Sequence, residues 1–585
     1  MVKAVIFILG VSTLPLAQRI KAELNGEIHS RFGVSGGDVS YVNAMAHLGE
    51  LFQQRRTIIG ICAAGILIRA LGPHLADKRK EPPVLAVAED GSSVIPLLGG
   101  HHGANALAQQ IANLTAGHAA ITTASEVHFG FSLDEPPAGY VLRNPDDMKP
   151  FTAALLACEN VKITGHAPWL QSLPQSDDAK LSIIITENDI EGSAAQLVYH
   201  PETLAVGIGC ERGTDSYELI ELTADTLMAH NLAPQAIACY ASIDLKEDEA
   251  AFLPMPDTRF FTAEELKAET ARLKNPSAYV SAEVGTPGVA EAAALAAAGP
   301  DAELIVPKTK SKRATCAIAR APSPILEMRG RRHGILCVVG IGPGSDYFRS
   351  RYCTDALKAA TDWVGYGLYL DLVADLKQDQ IEHRFPLGGE EERVRHAIDL
   401  AKQGKYVALV CSGDAGIYAM AALVYEIIDL EPNRISVDVI PGISAFQAAA
   451  AKAGAMIGHD FCCISLSDLL TPWEAIEKRV KAAAEGDFVI SFYNPRSLKR
   501  RDQLERAFAI LKDHRPPDTP VIIASNLGRA EETVRIVKFQ DFNPDDVDML
   551  TLVMVGSSQS KSFARGDGKT YAYTPRGYAR KRETP

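Results

Sequence analysis

The stretch Leu336–Ser345, L-C-V-V-G-I-G-P-G-S, decides how the rest of the chain is read. Leu336 to Val339 form an apolar run short enough for a buried strand. The run stops at Gly340-Ile341-Gly342-Pro343-Gly344, where glycines let the backbone turn tightly and approach a ligand with no side chain between. At the carboxyl end of a parallel strand, such a turn is where an open α/β sheet places its ligand. A single G-x-G is weak evidence, because glycine turns after strands are common. Three stretches downstream strengthen it: Ser412-Gly413-Asp414-Ala415-Gly416-Ile417-Tyr418, Pro441-Gly442-Ile443-Ser444-Ala445 and Phe492-Tyr493-Asn494-Pro495.

Outward from this point, strand and helix patterns alternate. Strands are expected over 336–339, 363–365, 406–411 and 436–440, with helices over 354–360, 391–402, 417–428 and 444–454. A second lobe begins near residue 461, with strands over 488–493, 521–525 and 549–555. Three of the glycine bends then fall at carboxyl ends of strands in one sheet, and they are expected to converge on one edge as a cofactor site.

Upstream lies the clearest linker, Ala321-Pro322-Ser323-Pro324 followed by Arg329-Gly330-Arg331-Arg332-His333-Gly334. It separates two halves of α/β class. The expected domains are 1–125, a connecting subdomain 126–202, a further α/β domain 203–325, the linker 326–334, and a two-lobed domain 335–585 with lobes about 335–458 and 459–575. In the first of these, strands over 2–9, 56–62, 83–88 and 119–123 alternate with helices over 14–24, 43–54, 65–71 and 104–114, which implies a doubly wound parallel sheet. Strands over 204–210 and 236–243, an amphipathic helix over 261–273, and a glycine–proline turn opening a helix at 284–294 are expected in the third.

Two glycine turns in the front half precede helices: Gly60-Ile61-Cys62-Ala63-Ala64-Gly65 and Leu98-Gly99-Gly100-His101-His102-Gly103-Ala104-Asn105. Amides exposed at a helix start suit an anion, and His101 or His102 can move a proton near neutral pH. Glycines that only make turns, with histidines on a wet loop, explain the same residues. Lys308, Lys310 and Lys312 alternate, so on a strand they would share one face, either to bind carboxylates or to protect an edge. Cys210 after a strand reads as packing more readily than as a nucleophile.

Composition sets outer bounds. A chain of 585 residues is too long for one core, and about four domains is the length prior. A formal net charge of −13 argues against nucleic acid or an anionic membrane as the main partner. No apolar run reaches the roughly 18–20 residues of a membrane span. Met1 to Gly10 reads as a first strand better than as a signal peptide, having one basic residue and no nearby cleavage site. Ten scattered cysteines without a C-x-x-C argue against a zinc or iron–sulfur site and fit reduced thiols in a cytoplasmic protein.

Taken as a set, the back-half stretches closely resemble the tetrapyrrole methylase family. Besides those quoted, the match includes Ile464-Ser465-Leu466-Ser467-Asp468-Leu469-Leu470-Thr471-Pro472-Trp473 and Asn526-Leu527-Gly528-Arg529. The 464–473 and 492–495 stretches look like the precorrin-3B C(17)-methyltransferase branch. The resemblance implies S-adenosylmethionine as cofactor, a corrinoid substrate, a homodimer, and methylation coupled to ring contraction. By carry-over, Pro343, Ser412, Gly413, Asp414, Ile417, Ser444, Ala445, Asn494 and Leu527 are the expected cofactor contacts. Asp414, Ser465 and Tyr493 are open candidates for the base. Arg496, Lys499, Arg500 and Arg501 could pair with substrate carboxylates, or could simply be a basic surface.

The front half resembles the cobalt-precorrin-5A hydrolase family through Gly60–Gly65, Gly99–Asn105, Gly207–Thr214, 284–295 and Lys308–Cys316. That implies hydrolysis of a lactone on a ring-contracted corrinoid, with release of acetaldehyde. His101 or His102 is then the candidate base and the Gly99–Gly103 amides the candidate oxyanion donors. A noncatalytic front half that holds corrinoid intermediates is the alternative.

Overall fold

The computed structural model describes residues 4–76, 80–123, 128–157, 159–497 and 501–578, and only the backbone of His101. Contacts divide the chain into two units, residues 1–241 with 265–329, and residues 242–264 with 330–585.

The first unit starts from β1 (Val5–Ile8), whose V-I-F-I is buried throughout. Such runs suit a sheet covered by helices on both faces. The sheet order is β3-β2-β1-β4-β5-β6-β7, adding β2 (Glu27–Arg31), β3 (Val39–Tyr41), β4 (Ile58–Ile61), β5 (Val84–Val87), β6 (Ser93–Leu98) and β7 (His118–Ala119). Helices α1 (Leu14–Leu24), α2 (Ala44–Gln53), α3 (Ala64–Leu71) and α4 (Ala104–Thr115) supply one hydrophobic cluster on each face. The expected sheet is parallel, and so is this one except at β5–β6, which pair antiparallel. Only Ala88 to Ser92 joins those two strands, too short for a crossover. Strands β2 and β3 escaped sequence reading because polar residues interrupt them, as in E-I-H-S-R.

The segment expected as a connector forms its own sheet, ordered β8-β11-β10-β9, from β8 (Tyr140–Leu142), β9 (Val161–Thr164), β10 (Leu181–Ile185) and β11 (Gln196–Pro201), with α5 (Met148–Leu156) packed into its core. Beyond it come β12 (Leu204–Cys210), α6 (Ser216–Ala229), β13 (Ile237–Ile243), β14 (Arg259–Phe261), α7 (Ala290–Ala298), β15 (Glu303–Lys310) and β16 (Ala314–Arg320). Strand β12 lies between β13 and β16, and β15 flanks β16. Helix α7 presses on Gly207 of β12, where a β-carbon would sit 1.9 Å from the Ala290 carbonyl oxygen. No long helix covers 261–273. A short one at Ala263–Lys267 is followed by a 3-10 turn, and Arg272 reaches the carbonyls of Ala302 (2.5 Å) and Gly299 (3.3 Å). Tertiary bonds of that guanidinium take over where an amphipathic pattern would have continued. The lysine alternation also fails as a strand face. Lys312 lies past the end of β15, whose register with β16 shifts twice between Leu304 and Thr309, around Pro307.

In the second unit, residues expected as a linker are held by the 242–264 segment. Phe260 of β14 exchanges backbone hydrogen bonds with Arg331 at 2.8 and 3.1 Å. Arg331 pairs with Asp244 at 3.0 Å, and Glu247 accepts the Gly334 amide at 3.0 Å. The first lobe is a parallel sheet, β19-β18-β20-β17-β21, of β17 (Ile335–Gly340), β18 (Asp362–Tyr366), β19 (Ile381–Phe385), β20 (Tyr406–Cys411) and β21 (Ser436–Ile440). Its helices are α8 (Arg351–Ala359), α9 (Gly367–Asp371), α10 (Glu390–Lys402), α11 (Met420–Leu430) and α12 (Ala445–Ala453). Short strand β22 (Gly454–Ala455) leads to the second lobe: β23 (Phe461–Ser465), α13 (Trp473–Glu485), β24 (Val489–Tyr493), α14 (Gln503–Leu511), β25 (Pro520–Ser525), β26 (Thr533–Lys538) and β27 (Thr551–Val555). These form a mixed sheet ordered β23-β24-β27-β25-β26. Strands β28 (Lys561–Ala564) and β29 (Thr570–Tyr573) complete a small sheet with β22.

Candidate functional site

The three glycine bends of the first lobe touch one another. Gly342 and Gly413 exchange backbone hydrogen bonds, at 3.1 Å from the Gly342 amide and 2.8 Å from the Gly413 amide. The Asp414 carboxylate accepts the Gly442 amide at 3.0 Å through one oxygen and the Gly416 amide at 2.8 Å through the other. A β-carbon on Gly442 would lie 2.0 Å from the Gly413 carbonyl oxygen, and one on Gly340 would lie 2.7 Å from the Gly442 nitrogen. Only glycine permits this junction.

The junction forms one wall of a cleft of about 200 Å³. Pro343 from the first bend lines it, as do Ser412, Gly413, Asp414 and Ile417 from the second, and Ser444 and Ala445 from the third. The second lobe adds Tyr493 and Asn494 after β24, Asn526, Leu527 and Arg529 after β25, and Met549 to Leu552 at the start of β27. All nine expected cofactor contacts therefore meet in one cleft. Asn494 and Asn526 have φ of 48° and 51°, a left-handed conformation that asparagine tolerates better than most residues. Gly344 closes the ring between lobes, since a β-carbon there would meet Cγ of Arg529 at 2.7 Å. Tyr418 has φ 52°, which delays α11 to Met420 instead of the expected 417.

A cofactor that offers its own polar edges fits this wall. A β-carbon on Gly413 would meet nothing within 4 Å, so the backbone there is bare toward the cleft. Tyr418 donates to the Cys463 carbonyl at 2.8 Å, and its ring centroid lies 5.2 Å from that of Tyr493. Tyr493 accepts the Phe446 amide at 3.3 Å, and burial pushes its phenol far above the usual tyrosine range. Of the three candidate bases, Asp414 and Tyr493 line the cleft, whereas Ser465 holds Asn494 by a 3.1 Å hydrogen bond.

Arg496 is already engaged, with the Pro544 carbonyl at 2.6 Å and Asp545 at 2.7 Å. Lys499 and Arg500 lie outside the described residues, and Arg501 is exposed. Tyr369 and Met549 to Leu552 carried no motif and were not anticipated as cleft residues.

In the first unit, Gly99 and Gly103 take φ of 73° and 86°, as a turn into α4 requires. The Gly99 carbonyl accepts the amides of His102 at 2.9 Å and Ala104 at 3.2 Å, which removes His102 from the Gly99–Gly103 amides expected as oxyanion donors. His102 is exposed, and the side chain of His101 lies outside the described residues. Burial raises the Cys62 thiol to about 11, so it stays protonated near neutral pH.

Among the described residues no group of histidine, cysteine and carboxylate side chains could hold a metal, and no helix is long and apolar enough to cross a membrane.

Comparison with known proteins follows the same division. The model for tetrapyrrole (corrin/porphyrin) methylases matches residues 336–543, that for the cobalamin synthesis G C-terminus matches 204–319, and that for the cobalamin synthesis G N-terminal region matches 46–126. A Salmonella typhimurium protein named "Probable cobalt-factor III C(17)-methyltransferase" is 46% identical over 244 residues, 42% of this chain and 99% of that protein. A Sinorhizobium precorrin-3B C(17)-methyltransferase is 40% identical, covering 42% of this chain and 98% of its own. The crystal structure of the methyltransferase CobJ shares 38% identity over 41% of this chain and 100% of that one, with a TM-score of 0.39. The chain belongs to the tetrapyrrole methylase family. It is an enzyme of cobalamin biosynthesis, with a methyltransferase of the C(17) branch behind the two domains of a cobalamin synthesis G hydrolase.

Proposed function

We propose that the second unit methylates C-17 of precorrin-3B, with contraction of the ring to precorrin-4, and uses S-adenosylmethionine as donor. The observation that carries this reading is the hydrogen-bonded junction of the Gly342, Gly413 and Gly442 bends beside one two-lobed cleft. S-adenosylmethionine supplies an electrophilic methyl group on a sulfonium. The chain's part is mainly alignment. Backbone groups at Pro343, Ser444 and Ala445, with Asn494 and Leu527 opposite, would hold the donor against the side-chain-free surface of Gly413. Ser412 and Ile417 complete that wall. Asp414 would take the proton from the substrate hydroxyl while its bonds to Gly416 and Gly442 keep the two bends together.

Incubation with S-adenosylmethionine and precorrin-3B, followed by mass spectrometry, is expected to show the tetrapyrrole gaining one methyl group. A parallel arm with cobalt-factor III tests whether the substrate carries cobalt. No mass gain in either arm overturns the reading. The same reading expects a cytoplasmic homodimer formed through the methylase half.

For the first unit, we propose hydrolysis of the lactone of cobalt-precorrin-5A with release of acetaldehyde, with His101 or His102 as base. The loss of the His102 amide to Gly99 favours a second reading, a noncatalytic unit that holds corrinoid intermediates. Acetaldehyde release by the full chain from a lactone-bearing corrinoid separates the two.

A further inference from the structure

Among the described residues that line the cleft, Arg529 is the one cation and Asp414 the one anion. Asp414 already uses both oxygens on backbone amides. Arg529 has no ion-pair partner among the described residues, and its buried Nε has no hydrogen-bond acceptor. The nearby Glu532 does not serve, because it accepts the Gly528 amide at 2.6 Å and pairs with Lys452 at 2.5 Å. The arginine is nevertheless held in place. Its stem lies against Gly344, and its own amide bonds the Asn526 carbonyl at 3.0 Å. Tyr369, a half-buried phenol, lines the cleft beside it, and the guanidinium charge opposes the upward push of burial on that phenol. An unpaired buried guanidinium edge is costly unless a ligand completes it. Planar guanidinium matches carboxylate.

We propose that Arg529 binds a carboxylate of whatever occupies the cleft, and so sets its specificity. This rests on the methyltransferase reading above. Two sources share that chemistry: the amino-acid end of the donor and the side chains of the tetrapyrrole.

The test is Arg529→Gln in the full chain. Calorimetry would measure binding of S-adenosylhomocysteine, which has the carboxylate, and of methylthioadenosine, which lacks it. Kinetics would measure KM for the tetrapyrrole. A loss of about 10- to 100-fold is the size expected for a hydrogen-bonded charge. If it appears with S-adenosylhomocysteine alone, the carboxylate is the donor's. If it appears as a raised tetrapyrrole KM with S-adenosylhomocysteine binding unchanged, the carboxylate is the macrocycle's. Both constants unchanged within twofold overturns the proposal. A wild-type protein that binds neither nucleoside overturns the methyltransferase reading instead. Should R529Q not fold, Arg529→Lys keeps the charge and loses the fork; it is expected to show a smaller loss, and no loss again overturns the proposal.

Discussion

A missing methyl group decides the geometry of this cleft at Gly442. A β-carbon there would be 2.0 Å from the Gly413 carbonyl oxygen, an overlap that backbone must move to relieve. At Gly413 itself the added carbon would meet nothing within 4 Å, although φ is 70°. Two variants should therefore separate stability from binding. Gly442→Ala is expected to lower both the melting temperature and the affinity for S-adenosylhomocysteine, with an overpacking cost of about 1–3 kcal/mol. Gly413→Ala carries only the left-handed strain, about 1–2 kcal/mol, and should mainly impair binding by filling the cleft. Equal melting temperatures for G442A and wild type would contradict the contact. The glycines were legible in sequence because their chemistry is local. Arg529 stood in a quoted stretch, but its lack of a partner was not legible, and neither was Tyr369, since nothing beside them in the chain shows which side chains find partners.

Elements follow the same rule. Strands with continuous apolar runs, such as Tyr406–Cys411, were readable from periodicity, and so was the placing of each bend at a strand's carboxyl end. Where tertiary bonds compete, periodicity misled, as over 261–273 and at the Lys308–Lys312 alternation. Glu291 shows the reason in one residue. Buried at the first turn of α7, its carboxylate accepts the amides of Lys274 (2.8 Å), Asn275 (3.0 Å) and Lys308 (2.9 Å), and the Asn275 side chain (2.8 Å). Burial pushes its pKa up, but these bonds outweigh that and hold it below the usual carboxylate range. Its ionised form thus stabilises the fold above the ordinary carboxylate pKa, and that contribution fades as pH falls through the lower folded value. Glu291→Ala is expected to destabilise the first unit by about 3 kcal/mol or more, because four donors lose their acceptor. Glu291→Gln should cost less and should flatten the acid limb of stability against pH. Denaturant unfolding from pH 3 to 7 checks both, and identical limbs would sink the assignment.

The whole molecule is two units, each with hydrophobic clusters of its own. A ligand stabilises only the fold that binds it, by about 2.7 kcal/mol at a concentration 100 times its Kd. Scanning calorimetry of the full chain is expected to show two transitions, one of which S-adenosylhomocysteine moves upward. A uniform shift of both would mean that the units melt together.

By itself, the sequence determined the α/β class, the paired halves and the three bends, because strand periodicity and glycine turns are properties of neighbouring residues. Only the tertiary structure decided that residues 242–264 join the second unit, that Arg496 is paired, and that Arg529 faces the cleft without a partner. Those outcomes depend on which charges meet across long sequence separations, and no local pattern records that.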